Sequence, residues 1–123
     1  METLRVASVQ MESAPLDKEA NLAKVERLTA EAVSRGAEIV AFPECCVTGY
    51  WHLRKRGQDE LLALAERLPD GPTGERLRSL ARRHGAVVGA GLVERDDRDR
   101  LYNSYLVALH ALVRHFEKRS TPA

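Results

Sequence analysis

The segment Ile39-Val40-Ala41-Phe42-Pro43-Glu44 constrains the fold of this chain more than any other. An unbroken apolar run with β-branched and aromatic residues is typical of a strand that is buried on both faces. Pro43 ends the strand because proline cannot donate to a sheet ladder. Glu44 is therefore predicted at the carboxyl end of a central strand, which is where open α/β sheets build their sites. It is either a surface carboxylate or a functional one in a desolvated cleft, and the second requires a cationic partner.

The length of 123 residues predicts a single domain over residues 1–123. Lys and Arg number 19 against 18 Asp and Glu, so the net charge is +1 and gives no electrostatic reason to expect nucleic acid or an anionic membrane as partner. The first residues carry no apolar signal core, and no apolar run approaches the length that spans a membrane. These features predict a cytoplasmic protein.

The patterns along the chain predict the order strand, helix, strand, helix, helix, strand, strand, strand. Asp17 is a predicted N-cap of the first helix, Leu61 to Leu68 predict a short second helix, and Thr73 is a predicted N-cap of the third. The order favours an α/β fold with a mostly parallel sheet and a late antiparallel hairpin. Three helices cover one face of such a sheet, so the other face needs a second sheet or another copy of the chain.

The two cysteines, Cys45 and Cys46, are adjacent in sequence. Neighbouring cysteines make an uncommon and strained disulfide, and their spacing fits no zinc site. The sequence therefore predicts two reduced thiols. They are interpreted as packed side chains rather than as reactive groups.

The cation that Glu44 requires is predicted to be Lys118, at the far end of the last strand. Several short segments follow one another along the chain: Val6 to Gln10, Asn21-Leu22, Phe42-Pro43-Glu44 with Thr48-Gly49-Tyr50, Gly89 to Arg95, Tyr102-Asn103-Ser104 and Phe116-Glu117-Lys118. Together, in this order, they resemble the nitrilase superfamily of carbon–nitrogen hydrolases, and the resemblance covers essentially the whole chain.

The resemblance implies half of a four-layer α-β-β-α sandwich that forms dimers or larger oligomers through its outer helices. It also implies hydrolysis of a non-peptide C–N bond in a small amide, carbamoyl compound or nitrile, by a Glu-Lys-Cys triad without metal or organic cofactor. Glu44 matches the general base and Lys118 the oxyanion stabiliser, and Tyr50 matches an aromatic residue near the pocket mouth. These residue types suit the chemistry, because a carboxylate takes the thiol proton and an ammonium stabilises the tetrahedral oxyanion.

The family's nucleophilic cysteine lies well downstream of its lysine, and this sequence ends at Ala123. Cys45 and Cys46 occupy positions where the family has apolar or small residues. We therefore expect the chain to be the truncated N-terminal part of such a domain, inactive by itself. An alternative is a non-catalytic binding or assembly module that uses the uncovered sheet face.

Overall fold

The computed structural model describes residues 3–49 and 56–109 with their side chains, and the backbone of residues 112–119. The described elements follow the predicted order. The strands are β1 (Val6–Ser8), β2 (Ile39–Ala41), β3 (Val87–Arg95), β4 (Leu101–Leu109) and β5 (Leu112–Arg119), and the helices are α1 (Lys18–Ser34), α2 (Gln58–Leu64) and α3 (Pro72–His84). None of these helices is long and apolar enough to cross a bilayer.

The five strands form one mixed sheet in the order β1-β2-β3-β4-β5. β1, β2 and β3 pair in parallel, and β4 and β5 add to β3 as antiparallel neighbours. The α/β fold and its late antiparallel hairpin are confirmed. The parallel part is short, since β1 and β2 each contribute three residues, whereas the β3–β4 ladder runs over nine.

Two helix boundaries differ from the prediction, and both differences involve Glu66. α2 ends at Leu64 instead of continuing to Leu68, because Glu66 leaves the helix and bridges to Glu94 of β3. The N-cap of α3 is Gly71 with Pro72 following it, so the prediction of Thr73 as the cap was wrong. Thr73 uses its backbone N–H and its hydroxyl to bind the Glu66 carboxylate instead. The Asp17 cap of α1 is confirmed, since its carboxylate accepts from the backbone N–H of Ala20.

The core lies between the sheet and helices α1 and α3. Alternate residues of each strand face these helices because successive side chains point to opposite sides of a strand. The buried apolar residues on this side of the sheet are Val40, Val88, Ala90, Leu92, Leu106 and Ala108. Leu22 and Val25 of α1 and Leu77, Leu80 and Ala81 of α3 pack onto them.

The opposite face of the sheet, which we call the open face, has no helix over it in the described part of the chain. Val6 is 59% exposed and Leu109 is 37% exposed, and Ile39 and Ala41 are only half-buried. The prediction that β2 is buried on both faces is therefore wrong for the described residues. The centre of this face, along β3, is buried beneath the loop after β2 and Tyr105, so the exposed part lies towards the edge strands. A second face without helices is what the number of predicted helices required.

Candidate active site at the end of β2

The loop after β2 folds back onto the open face and places Glu44 there. Its backbone is a turn over residues 44–48, in which Cys45 has a positive φ of 52°. The fully buried Asn21 of α1 holds this turn from beneath, since its side-chain amide donates to the carbonyl oxygen of Val47 at 2.8 Å. The Ser13 hydroxyl also donates a hydrogen bond to the carbonyl oxygen of Cys46 at 2.8 Å. The turn is thus tied to the helix layer even though it carries Glu44 to the other side of the sheet.

Gly91 of β3 makes the close approach of this turn possible. A β-carbon at position 91 would lie 2.4 Å from the backbone nitrogen of Cys45 and 3.0 Å from the carbonyl carbon of Glu44. The backbone N–H of Val47 donates to the carbonyl oxygen of Gly91 at 3.1 Å. The turn therefore bonds to β3 beyond the residue at which β2 ends. Only glycine lets two backbones pack at this distance.

Glu44 is exposed, and its carboxylate accepts a hydrogen bond from the side-chain amide nitrogen of Asn103 in β4. The side-chain oxygen of Asn103 accepts in turn from the thiol of Cys45 at 3.3 Å. The described residues therefore hold Glu44 in place by a polar contact but do not enclose it in a desolvated cleft. In the sequence, Asn103 stands out only as part of the Tyr102-Asn103-Ser104 segment, and no local pattern indicates this contact.

Lys118 lies directly across the β4–β5 ladder from Asn103. Residues that face each other in an antiparallel pair lie on the same face of the sheet. Position 118 is therefore on the open face, one strand beyond the asparagine that contacts Glu44. The structure describes Lys118 by its backbone only, and Tyr50 lies outside the described residues.

Tyr105 anchors the end of β2 beside this site. Its hydroxyl donates to the carbonyl oxygen of Phe42 at 2.7 Å, and its ring occupies the space that a β-carbon at Gly89 would need. Burial raises the pKa of the Tyr105 phenol to about 12, so the phenol stays protonated and keeps its role as a donor. The contact fixes the strand end from which Pro43 and Glu44 project.

Both cysteines are free thiols, as predicted, and each is 2% exposed. Burial is the main reason that the pKa of Cys45 rises to about 12, and the charge of Glu44 adds to it. Burial also raises the pKa of Cys46 to about 11. The nucleophilic form of cysteine is the thiolate, so neither side chain is activated near neutral pH.

Within residues 3–49 and 56–109 no three His, Cys, Asp or Glu side chains come together in a group that could hold a metal ion. The described chemistry at the end of β2 thus consists of one carboxylate, one carboxamide and one protonated thiol. A lysine position follows in register on the next strand. Such a set can orient a carboxylate as a proton acceptor.

Residues 5–109 match the family model described as carbon-nitrogen hydrolase. The chain is 38% identical over 104 residues to a nitrilase of Pyrococcus abyssi, a match that covers 85% of this chain and 38% of that protein.

Solved structures show the same fold. A CN-hydrolase superfamily protein of Xanthomonas campestris, with an arsenic adduct in its active site, superimposes with a TM-score of 0.79 at 26% identity and covers 98% of this chain and 42% of that one. An amidase of Nesterenkonia gives a TM-score of 0.70 at 22% identity, over 98% of this chain and 44% of that one. The chain thus spans about two fifths of the length of these proteins. It belongs to the carbon–nitrogen hydrolase family of the nitrilase superfamily and corresponds to the N-terminal part of that domain.

Proposed function

We propose that this chain contributes the general base, Glu44, and the oxyanion stabiliser, Lys118, to the hydrolysis of a non-peptide C–N bond in a small amide, carbamoyl compound or nitrile. The observation that carries the proposal is the register of β4 and β5. It pairs position 118 with Asn103, whose amide donates to Glu44. Positions 44 and 118, which are distant in sequence, thus come to the same face of one sheet.

For an amide or carbamoyl substrate, the proposed reaction begins with a thiol whose proton passes to the Glu44 carboxylate while its sulfur bonds to the substrate carbon. The electron pair of the C=O bond moves to oxygen, and the Lys118 ammonium stabilises the resulting oxyanion, an effect of roughly 3–4 kcal/mol for one well-placed donor. The protonated Glu44 then returns its proton to the nitrogen as the C–N bond breaks, and the amine leaves. Water, deprotonated by Glu44, hydrolyses the thioester and regenerates the thiol.

The attacking thiol in this proposal is not one of the two cysteines in the sequence. Both are buried with raised pKa values, and Cys45 donates to Asn103. The relatives are more than twice as long as the matched segment, so the proposed nucleophile belongs to polypeptide outside these 123 residues. We expect the purified chain to release no ammonia from amides or nitriles, and Cys45→Ala or Cys46→Ala to leave that result unchanged.

A hybrid enzyme tests the proposal directly. This chain would replace the matching segment of the Pyrococcus abyssi nitrilase, and a second hybrid would use the Nesterenkonia amidase, whose structural match includes nearly all of this chain. We expect ammonia release from nitriles or aliphatic amides. Glu44→Gln and Lys118→Met should each lower kcat by at least about 100-fold, the scale of a lost catalytic group.

Glu31→Gln is the matched control, because Glu31 is an exposed carboxylate on α1 that pairs with Arg35. Its hybrid should keep full activity. Circular dichroism and light scattering would establish that each hybrid is folded. Folded hybrids that hydrolyse neither substrate class, or that hydrolyse them equally well with Glu44→Gln, would overturn the proposed function.

A second candidate function is a non-catalytic binding or assembly module. The observation that favours it is the open face, where Val6 is 59% exposed and Leu109 is 37% exposed. In this case the chain would bind a partner or a second copy through that face, consistent with the predicted homo-oligomer. A monodisperse monomer by light scattering that binds no hydrophobic dye would count against this candidate.

A further inference from the structure

We infer that Asn103 is a positioning residue that holds the Glu44 carboxylate in its working orientation, and that the Cys45 thiol fixes which way the Asn103 amide points. The inference rests on the proposed function, because it assigns to these two residues a part in presenting the base. It gives the adjacent cysteine a role other than that of a nucleophile.

The chemistry of the three groups allows one arrangement. An ionised carboxylate can only accept hydrogen bonds, so the Asn103 group beside Glu44 must be the NH₂ end of the amide. The remaining end of the amide is an oxygen, which can only accept, and the Cys45 thiol beside it can donate. A flipped amide would put oxygen against the carboxylate, where neither group can donate, and would leave its NH₂ group only the weakly accepting sulfur of Cys45. Both contacts therefore favour the same orientation.

The burial of Cys45 keeps the thiol suited to this role. The side chain is 2% exposed, and its pKa is raised to about 12. It therefore carries its proton throughout the neutral range and remains a donor to the Asn103 oxygen. The negative charge of Glu44 contributes to this raised pKa.

The backbone of Asn103 is held on both sides. Asn103 faces Val93 across the β3–β4 ladder and Lys118 across the β4–β5 ladder, so its Cα cannot shift without disturbing two pairs of strands. Glu44 lies beyond the end of β2 and is not part of a strand ladder itself. The Asn103 amide thus holds Glu44 against β4, an interior strand of the sheet. It does so directly across the ladder from position 118, the proposed oxyanion stabiliser.

The contact also leaves Glu44 able to act. Asn103 binds the Oε1 atom of the carboxylate, and no described residue binds Oε2. One oxygen is thus anchored while the other is available to accept a proton. An uncharged amide is suited to this position, because it orients the carboxylate without adding a fixed charge.

The first test uses the whole 123-residue chain and nuclear magnetic resonance. The two Asn103 side-chain amide protons should show nuclear Overhauser contacts to Glu44 and a single orientation. Cys45→Ser should preserve this pattern, since a hydroxyl also donates, whereas Cys45→Ala should weaken it. Cys46→Ala is the matched control, because the thiol that donates to Asn103 is that of Cys45, so loss of the neighbouring buried thiol should leave the amide signals unchanged. Amide protons that point away from Glu44 would overturn the inference.

The second test measures kinetics in the hybrid enzyme. Asn103→Leu should lower kcat by about 10- to 100-fold with little change in KM, because misplacing a reacting group affects the transition state more than binding. Asn103→Asp should be nearly inactive at neutral pH and regain activity as the pH falls, since the introduced carboxyl donates only when protonated. A merely structural role for Asn103 would not produce that pH dependence.

The outcomes separate the inference from the proposed function. If Glu44→Gln abolishes activity while Asn103→Leu keeps kcat within about twofold, the positioning role is wrong and the base assignment stands. If Glu44→Gln retains activity, the proposed function itself fails. Asn103→Asp, which has almost the same shape as asparagine, serves if Asn103→Leu does not fold.

Discussion

Two glutamates that follow short secondary-structure elements differ sharply in their surroundings. Glu66 is 6% exposed, and both of its carboxylate oxygens are occupied: Oε1 accepts from the backbone N–H of Thr73 at 2.8 Å, and Oε2 from the Thr73 hydroxyl at 2.5 Å and from the Lys18 ammonium at 3.2 Å. Glu44 is exposed and has one described donor, the amide of Asn103.

The difference distinguishes a structural carboxylate from a candidate catalytic one. At Glu66 a negative charge lies at the N-terminus of α3, where it compensates the helix dipole and a free backbone N–H. Lys18 and Thr73 donate hydrogen bonds to both carboxylate oxygens of Glu66, so neither oxygen is left to accept a proton from a substrate. Glu44 has one described donor and lies on the open face, opposite the helix layer. The better-bound glutamate is therefore the less suitable base.

The largest expected effect is the loss of stability on Glu66→Gln. The variant leaves the Lys18 ammonium, which is 27% exposed, without its carboxylate, and it places an NH₂ group among donors. Breaking a largely buried pair of this kind should lower the free energy of unfolding by about 2–3 kcal/mol. Urea denaturation followed by circular dichroism measures it. Glu31→Gln, at an exposed i,i+4 pair, is the control and should change stability by less than about 0.5 kcal/mol.

A second effect concerns the turn that carries Glu44. Gly91→Ala would force a methyl group against the backbone of Cys45 and Glu44, so the turn must move. We expect a loss of about 2 kcal/mol, typical of overpacking, and a change in the amide resonances of residues 44–47. Gly57→Ala is the control, because a β-carbon there meets nothing within 4 Å. Unchanged resonances in Gly91→Ala would contradict the close packing of the turn on β3.

A smaller effect isolates one bond of the Glu66 cluster. Thr73→Val keeps the shape of the side chain and the backbone N–H contact but removes the hydroxyl that donates to Glu66. The expected loss is about 1.5 kcal/mol, the usual range for a hydrogen bond to a charged group. Thr29→Val is the control for removing a buried hydroxyl that makes no hydrogen bond. The fully buried Thr29 hydroxyl has no partner among the described residues, so its removal should not destabilise the chain. Equal losses in both variants would show that hydroxyl bonding to Glu66 contributes nothing specific.

The sequence predicted the order of elements and the position of Glu44 because both depend on local signals. The apolar run before Pro43 marks a strand end, and the resemblance to carbon–nitrogen hydrolases paired Glu44 with Lys118. The Glu66 cluster was not predictable in this way. Residues 61–68 have the spacing of one helix, and only the free edge of β3 beyond the end of β2 draws Glu66 out of it. The Asn103 contact likewise depends on the register between β3 and β4, which no local pattern specifies.

The smallest expected effect completes the comparison: Glu44→Gln should leave stability almost unchanged. The side chain is exposed, and glutamine retains an oxygen that can accept from Asn103, so we expect a change below about 0.5 kcal/mol. The same substitution at position 66 should cost several times more, because there the charge is buried against an ammonium and a helix end. Urea denaturation of the two variants under one set of conditions gives the ratio directly. If Glu44→Gln destabilised the chain as much as Glu66→Gln, Glu44 would be a structural carboxylate, and the reason for assigning the proton-accepting role to it rather than to Glu66 would be lost.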